Sequence, residues 1–392
     1  MSKLSIKGSA LRLLVKAGLL ALMATGSAQA LSSDREELRV MTYNVDEGTD
    51  FLEVQRARTA SEFLVAVGQT ITQVRATQPR QRMMAIAHQI IEAAPTLVSL
   101  QEMDEWSSGS FDPVTSSCGP MTVEFDMVQE LLDALAADGA HYAIAIRPQQ
   151  FAIPPTPGLV PPSTFICASV VNNVVLLVRA DLEPARFKWR NPQSGIYAAT
   201  LFFPTPFGTL PLPRAWASVD ATFNGQAFRF IGTHLESADP GLRRLQGVEL
   251  RAGPGSTPLP IILAMDSNAQ ADPLPLDAAY IDFIGAGFKD AWAEKDQTSA
   301  GDHDAWSESA QYSAGFTCCQ AQLLDNFKSQ LTQRTDLILT KGPIKAENVA
   351  LFGTSKTRNG LWPSDHAGVA AKLELEKSQA RRPDRGSPSG PD

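Results

Sequence analysis

The sequence predicts an α+β domain in which β-sheets pack between helices. Three observations predict it. Short apolar or alternating runs recur from residue 38 to residue 375. Antiparallel signals join some of them, the Asn224-Gly225 pair most clearly. A few helical stretches interrupt the runs, and no linker divides residues 36–375, so one layered domain is expected.

Taken in order, residues 38–45 alternate and are rich in β-formers, which predicts a strand ending at Asn44. Residues 80–94 place Met83, Met84, Ile86, Ala87, Ile90 and Ile91 at helical spacing and stop at Pro95. Thr96-Leu-Val-Ser-Leu-Gln-Glu102 is the next strand, and Met127–Ala137 the next helix. Residues 151–165 hold Pro154, Pro155, Pro157, Pro161 and Pro162 and predict a loop. Residues 168–178 predict one long apolar strand. Residues 204–213 are again proline-rich and apolar, beside Phe202, Phe203 and Phe207. Strands at 216–223 and 228–235 flank Asn224-Gly225. Short buried strands follow at Ile261–Asp266 and 336–340, and a last alternating strand at 369–375. Residues 376–392 are a polar tail rich in Pro, Gly and Ser, expected to be disordered.

The first thirty residues differ from the rest. Lys3, Lys7, Arg12 and Lys16 lead into an apolar run at 17–24, and Ala28 and Ala30 occupy small-residue cleavage positions. That is the pattern of a secretory signal peptide, with a run too short to span a bilayer comfortably. The expected organisation is therefore a signal peptide at 1–30, one domain at 31–375 and a tail at 376–392, with the protein secreted or periplasmic. Four of the 34 basic residues lie in 1–30, leaving 30 against 42 acidic residues and a net charge of −12. No second stretch is apolar enough to span a membrane, and a monomer without stable membrane insertion is expected. Export permits disulfides. Cys118, Cys167, Cys318 and Cys319 allow three pairings, and sequence does not choose among them. No Cys-x-x-Cys spacing supports a metal site.

One feature recurs: a polar residue suited to metal or phosphate chemistry at the end of a predicted strand. These are Asn44, Glu102, Asn173, His234, Asp266 with Asn268, Asp336, and Asp365 with His366. Strand ends are where a rigid sheet presents a site. Carboxylate and amide oxygens without cysteine suit hard Mg²⁺, or Mn²⁺. Histidines beside carboxylates suit proton transfer and stabilisation of a phosphoryl transition state. Each residue alone has a plain reading as a cap, an Asx turn or a surface group. His88 and His141 read as structural. His303, between Asp302 and Asp304, reads as part of a solvated loop. Arg214 reads equally well as a structural arginine or a phosphate contact.

In chain order, Thr42-Tyr-Asn-Val45, Leu100-Gln-Glu102, Gly232-Thr-His-Leu-Glu236, Ala264-Met-Asp-Ser-Asn268, Arg334-Thr-Asp-Leu-Ile-Leu339 and Pro363-Ser-Asp-His366 resemble the endonuclease/exonuclease/phosphatase (DNase I-like) superfamily. The resemblance covers residues 38–375. Gly315–Leu324 and Gly360–Val369 look like segments of its secreted, mostly uncharacterised members. It implies a four-layer α/β/β/α sandwich and a Mg²⁺-dependent phosphoester hydrolase. It implies Glu102 as the principal metal ligand, with Asn44 and Asp365 nearby. Asp266 would orient or deprotonate the attacking water. Asn268 and Asn173 would hold phosphate oxygens. His366, paired with Asp336, and His234 would contact the scissile phosphate from opposite sides. Two departures stand beside these positions: Asn172 and Met265 occupy places where the family often has glycine. An acid supporting His234 is not identifiable in the sequence.

The fold does not fix the substrate. Nucleic acid is the first expectation, although the negative charge shows no basic patch of the kind that binds its backbone. A sphingomyelinase-like lipid phosphodiesterase, with the proline-rich loops touching a membrane, or a small-molecule phosphatase is the alternative. A catalytically idle binding module is the least favoured, because every metal and histidine position is filled.

Overall fold

The computed structural model describes residues 37–295 and 314–376. The expected signal peptide, the His303 loop and the tail from residue 377 lie outside them. Strand β1 (Leu38–Asn44) leads through α1 (Leu52–Arg56) to α2 (Ala60–Ala76) and α3 (Pro79–Ala93). The start of α2 is fixed by a capping box between Thr59 and Glu62. Then come β2 (Leu97–Gln101), β3 (Glu105–Asp112), β4 (Ser117–Asp126), α4 (Met127–Ala137), β5 (Tyr142–Ile146), β6 (Gln149–Val160), β7 (Thr164–Asn173) and β8 (Val175–Arg179). The second half holds β9 (Phe187–Ile196), the hairpin β10 (Leu201–Thr205) and β11 (Gly208–Leu212), β12 (Ala215–Phe223) and β13 (Gln226–His234). It continues with α5 (Pro240–Ala252), β14 (Ile261–Asp266), α6 (Ala278–Gly285), β15 (Lys289–Asp290), α7 (Ala291–Lys295), β16 (Asp336–Lys341), β17 (Ile344–Phe352) and β18 (Gly368–Leu375).

Two six-stranded sheets form the centre, ordered β17-β18-β1-β2-β8-β5 and β15-β16-β14-β13-β12-β9. Their inner faces meet through Val40, Leu97, Leu176 and Val178 on one side and Val219, Phe230, Ile262 and Ile338 on the other. The alternate residues of the same strands, such as Met41, Tyr43 and Val98, turn outward and are covered by Ile71 of α2, Ile86 of α3 and Leu131 of α4. On the far side Ile231, Leu263 and Leu339 meet Leu250 of α5 and Phe283 of α6. Both faces of the strands are buried, which explains their nearly unbroken apolar character. The architecture is the expected α/β/β/α sandwich. No helix among the described residues is long and apolar enough to cross a membrane.

Three sequence expectations are corrected. Residues 151–165 are not a loop. Most of them belong to β6, the edge of a third sheet ordered β4-β3-β7-β6. An edge strand tolerates proline because one side of it needs no ladder donors. Residues 168–178 are not one strand. The chain leaves the third sheet after Asn173 and enters the central sheet at Val175. Val174 marks the change, its N–H donating to the Pro148 carbonyl at 3.2 Å. An apolar run buried on both sides of such a switch carries no mark of it. The proline-rich stretch at 204–213 likewise forms most of the β10–β11 hairpin. The Asn224-Gly225 turn is as expected, with φ of 47° and 81° at its two residues. Cys118 is bonded to Cys167, and Cys318 to its neighbour Cys319.

The sheets approach closely at Gly232, where an added Cβ would run into Ser99 and Leu176 of the facing sheet. Gly232→Ala is expected to cost about 1–3 kcal/mol of stability through overpacking. A lowered urea midpoint with an unchanged slope is the check.

Candidate active site

Strand register builds the site. His234 pairs with Asp266 across β13–β14, and Asp266 with Asp336 across β14–β16. Three chemistry-bearing residues therefore stand in one row at one rim of one sheet. In the facing sheet Asn44 pairs with Gln101, so Glu102 follows at the same rim. Val369 pairs with Thr42, which brings the preceding Asp365 and His366 there too. The two rows meet across the sandwich: Asn44 Nδ2 donates to Glu102 Oε1 at 2.8 Å and to Asp266 Oδ2 at 2.9 Å.

Asp266 Oδ2 is the point of convergence. His234 Nε2 lies 3.3 Å from it and His366 Nε2 3.9 Å. Its other oxygen accepts from the Asn268 backbone N–H at 2.8 Å. Asp336 Oδ2 holds His366 Nδ1 at 2.7 Å, the pair that the sequence resemblance implied. The Asn268 amide nitrogen is 3.0 Å from His234 Nε2 and donates to the Leu235 carbonyl. Glu102 Oε2 accepts from the Glu47 backbone N–H at 2.9 Å. Asp46, Glu102 and Asn268 all have left-handed backbone, with φ of 64°, 58° and 48°. Such conformations cost energy in non-glycine residues and cluster where geometry must be held.

These side chains come from six distant segments of the chain, and two braces register them. The Arg82 guanidinium is buried. Nη1 donates to the Val45 and Pro363 carbonyls, Nη2 to the Asp46 carbonyl and Nε to the Thr77 carbonyl. The Ser364 hydroxyl donates to the Asn44 carbonyl at 2.7 Å and accepts from the His366 N–H at 3.0 Å. The loop carrying Asp365 and His366 is thus tied to the end of β1.

The two histidines are driven in opposite directions. Burial holds His234 well below the usual histidine range, and the Arg214 and His366 cations push the same way. Arg214 Nη1 lies 3.0 Å from His234 Nδ1 and 3.4 Å from Nε2. Burial works against a charged His366, but Asp336, Asp365 and Asp266 outweigh it and hold the ring well above the usual range. Burial and the Asp336 carboxylate raise Asp266 to about 6, against the pull of His366 and Asn44. Burial raises Asp46 to about 6 as well, with Arg82 opposing and Glu102 adding to it. Burial and the Glu102 charge push Glu47 and Asp104 well above the carboxylate range. Asp365 is driven up by burial, with His366 opposing and Asp46 and Glu102 adding to the rise.

Glu102 and Asp365 reach solvent, with side chains 17% and 28% exposed, whereas Asp266 and Asp336 are closed off. A cation arriving from solvent would meet the first pair. A second cluster of possible ligands, Asp266, Asp336 and His366, is closed off from solvent and engaged through Asp266 Oδ2 and the His366–Asp336 pair, with Asp336 Oδ1 left without a hydrogen bond. Cys318 and Cys319 also approach His366, but they are bonded to each other and offer no thiolate.

Asn173 has a different set of partners. Its amide donates to the Met103 and Val171 carbonyls at 2.9 and 3.2 Å, bracing the backbone beside Glu102. Its neighbour Asn172 donates to Glu47 Oε2 at 2.8 Å. His88 pairs with Asp138 on the surface at 3.3 Å. Sequence reasoning left Arg214 undecided and missed Asp46, Glu47, Asp104 and Arg82. The acids were open to view, because Asp46 and Glu47 directly follow the β1 motif and Asp104 stands two residues after Glu102. Arg82 was hidden: it is buried on an amphipathic helix whose Met84, one of the apolar positions at helical spacing, is exposed.

The sequence matches no family model, and no curated protein is similar to it. Solved structures share the fold at low identity. An endonuclease/exonuclease/phosphatase family protein from Bacteroides thetaiotaomicron is 16% identical with a TM-score of 0.50, over 87% of this chain and 98% of that one. Another such family protein, from Leptotrichia buccalis, is 16% identical with a TM-score of 0.50, over 86% and 99%. A functionally unknown conserved protein from Enterococcus faecalis is 13% identical, also at 0.50, over 86% and 100%. The fold implied by the motifs is the fold found.

Removing the cation beside His234 tests the electrostatics. Protonating His234 adds a second positive charge next to Arg214, so Arg214→Met should raise the His234 pKa. Ring resonances followed by NMR across pH 4–8 (about that range suffices) should show His234 titrating at higher pH in the variant than in the wild type. An unmoved titration would remove Arg214 as the cause.

Proposed function

We propose that this protein hydrolyses phosphoesters as a divalent-metal phosphodiesterase. The observation that carries the reading is the convergence of His234, His366 and Asn44 on Asp266 Oδ2, inside a sandwich rim with solvent-facing Glu102 and Asp365. Asp266, raised towards neutrality, is suited to accept a proton from an attacking water. His366, kept charged by Asp336, places a cation where negative charge develops on a phosphoryl group. Asn44 holds the Glu102 and Asp266 carboxylates together. Asn268 orients His234. Arg214 supplies planar donors of the kind that fit phosphate oxygens.

The donor set fits Mg²⁺ or Mn²⁺. Its members are hard oxygens, and no thiolate stands among them. One oxygen each of Asp46 and Asp336 is buried without a hydrogen bond. The carboxylates Asp46, Glu47, Glu102, Asp104 and Asp365 crowd one another. Burial first, and then the neighbouring negative charge, pushes Asp46, Glu47, Asp104 and Asp365 upward, and a divalent cation would neutralise that charge. Glu102, with Asp365 and Asn44, would hold the ion, and when bound it supplies Lewis-acid stabilisation of phosphoryl charge.

Nucleic acid stands first among the substrates, as the polymer of phosphodiesters. A phosphodiester with an apolar alcohol group is the second reading, favoured by an aromatic cavity beside the rim. Export to an oxidising compartment is part of the proposal, and the Cys118–Cys167 bridge supports it.

The test is hydrolysis of plasmid DNA, RNA, sphingomyelin and bis-p-nitrophenyl phosphate, with Mg²⁺ and with EDTA. Hydrolysis that EDTA abolishes and Mg²⁺ restores is expected on at least one substrate. Glu102→Ala, Asp266→Ala and His366→Ala should each lower it by about 10²–10³-fold or more with the circular dichroism spectrum unchanged. Full activity in EDTA would sink the metal, and full activity in His366→Ala would sink that role.

A further inference from the structure

Beside the histidines the surface opens into a cavity of about 330 Å³. Phe51, Trp106, Phe151, Val170, Phe203 and Leu212 are among its walls, brought together from six different segments of the chain. Glu47, Arg214 and Glu236 also line it and join it to the site already described. Nothing in the chemistry of Asp266 or His366 requires an apolar chamber.

We propose that this cavity is a subsite for an apolar alcohol group, alkyl or aryl, esterified to the phosphate that the rim handles. The inference rests on the phosphoesterase reading and names its substrate class: an amphiphilic phosphodiester. Three observations carry it. The first is continuity. Arg214 lines the cavity and also lies 3.0 Å from His234 Nδ1, while Glu47 lines it and donates its N–H to Glu102. One small molecule can therefore reach both places. The second is lining chemistry. Among the described residues that line the cavity, Arg214 is the one cation, and it stands at the phosphate side. Asp50, Thr70, Thr156 and Ser169 also line it, but the Phe51, Trp106, Phe151 and Phe203 rings present the faces that an alkyl or aryl group buries at no polar cost. The third is preformation. Trp106 stacks on Phe51 at 6.0 Å and donates its indole N–H to the Glu47 carbonyl at 3.0 Å. Phe207, at the tip of the β10–β11 hairpin, meets Phe63 edge-on at 5.4 Å. Walls held this way keep the cavity open, as in most small-molecule pockets.

The volume sets the size of the group. An engineered cavity of about 150 Å³ lined by Leu, Ile and Phe takes up benzene. On that scale the present cavity has room for on the order of eight to twelve carbon atoms, a naphthyl group or an octyl chain.

The experiment compares p-nitrophenyl phosphodiesters whose second ester is methyl, butyl, octyl or 2-naphthyl, with the full chain and Mg²⁺. The kcat/KM should rise by about threefold per added methylene until the cavity is full, and the naphthyl ester should rank with octyl. Leu212→Trp and Ile153→Trp, two half-buried wall positions, should erase this gain and leave the methyl ester within about twofold of wild type. A flat series with a hydrolysed methyl ester overturns the subsite and leaves the phosphoesterase standing. Failure to hydrolyse any ester, with plasmid DNA, RNA and sphingomyelin also uncut, overturns the phosphoesterase reading, and binding then decides the subsite. Calorimetry with octylphosphonate against methylphosphonate should show tighter binding of the octyl compound and a negative heat-capacity change, both lost in the tryptophan variants. Equal affinities overturn the subsite whatever the catalysis. Plasmid cutting unaffected by either variant, together with a flat ester series, would return the substrate to nucleic acid.

Discussion

Everything at the rim depends on strand register. His234, Asp266 and Asp336 are neighbours because three strands pair without a slip, two parallel and one antiparallel. A shift of one residue would turn each side chain to the opposite face and carry Asp266 away from Asn44. Register is in turn set by burial on both faces. Ile262 and Ala264 look into the space between the sheets, and Leu263 and Met265 look toward α5 and α6. A slip would exchange Ile262 and Ala264 with Leu263 and Met265, side chains of different size, between two closely packed layers. The packing of the sandwich is thus what aligns the carboxylates, and the site costs little extra structure of its own.

Alignment within each sheet leaves one freedom, the position of the loops that run past the strand ends. Arg82 removes it. A fully buried guanidinium is costly unless its donors are used. Here they are used on carbonyls from the β1 end, the α2 end and the loop before His366. The charge pairs with Asp46 at 3.8 Å. A helix on the outer layer therefore fixes residues on the inner rim, and its cation offsets part of the negative charge gathered there.

Much of this was legible in the sequence, for a physical reason. Buried strands of a sandwich must be apolar, so a polar residue at their ends stands out, and Asn44, Glu102, His234, Asp266 and Asp336 were all read that way. The Asn224-Gly225 turn was legible because a two-residue hairpin needs positive φ at both positions. Edge strands were not. Strand β6 carries prolines and β9 is largely exposed, and neither shows the alternation that a buried face imposes. The division of residues 168–178 between two sheets was invisible because both halves are buried. Arg82 was hidden and Arg214 stayed undecided for a related reason: an arginine that bonds across the fold looks, in sequence, like one that faces water.

The cavity and the carboxylate rim share a brace, and this bears on how apolar binding would be coupled to the proposed chemistry. Trp106 is both a wall of the cavity and the donor to the Glu47 carbonyl. The N–H of that same Glu47 holds Glu102 Oε2. A group pressed against the indole therefore leans on the segment that positions the most exposed of the β2-end carboxylates. Low-dielectric walls also strengthen the fields of His366 and Arg214 at a phosphate, because less water remains to screen them. Apolar occupancy would then act on the charged side of the site through two physical routes, one mechanical and one electrostatic. The mechanical route runs through Glu47, whose carboxylate is held by the Asn172 amide at 2.8 Å.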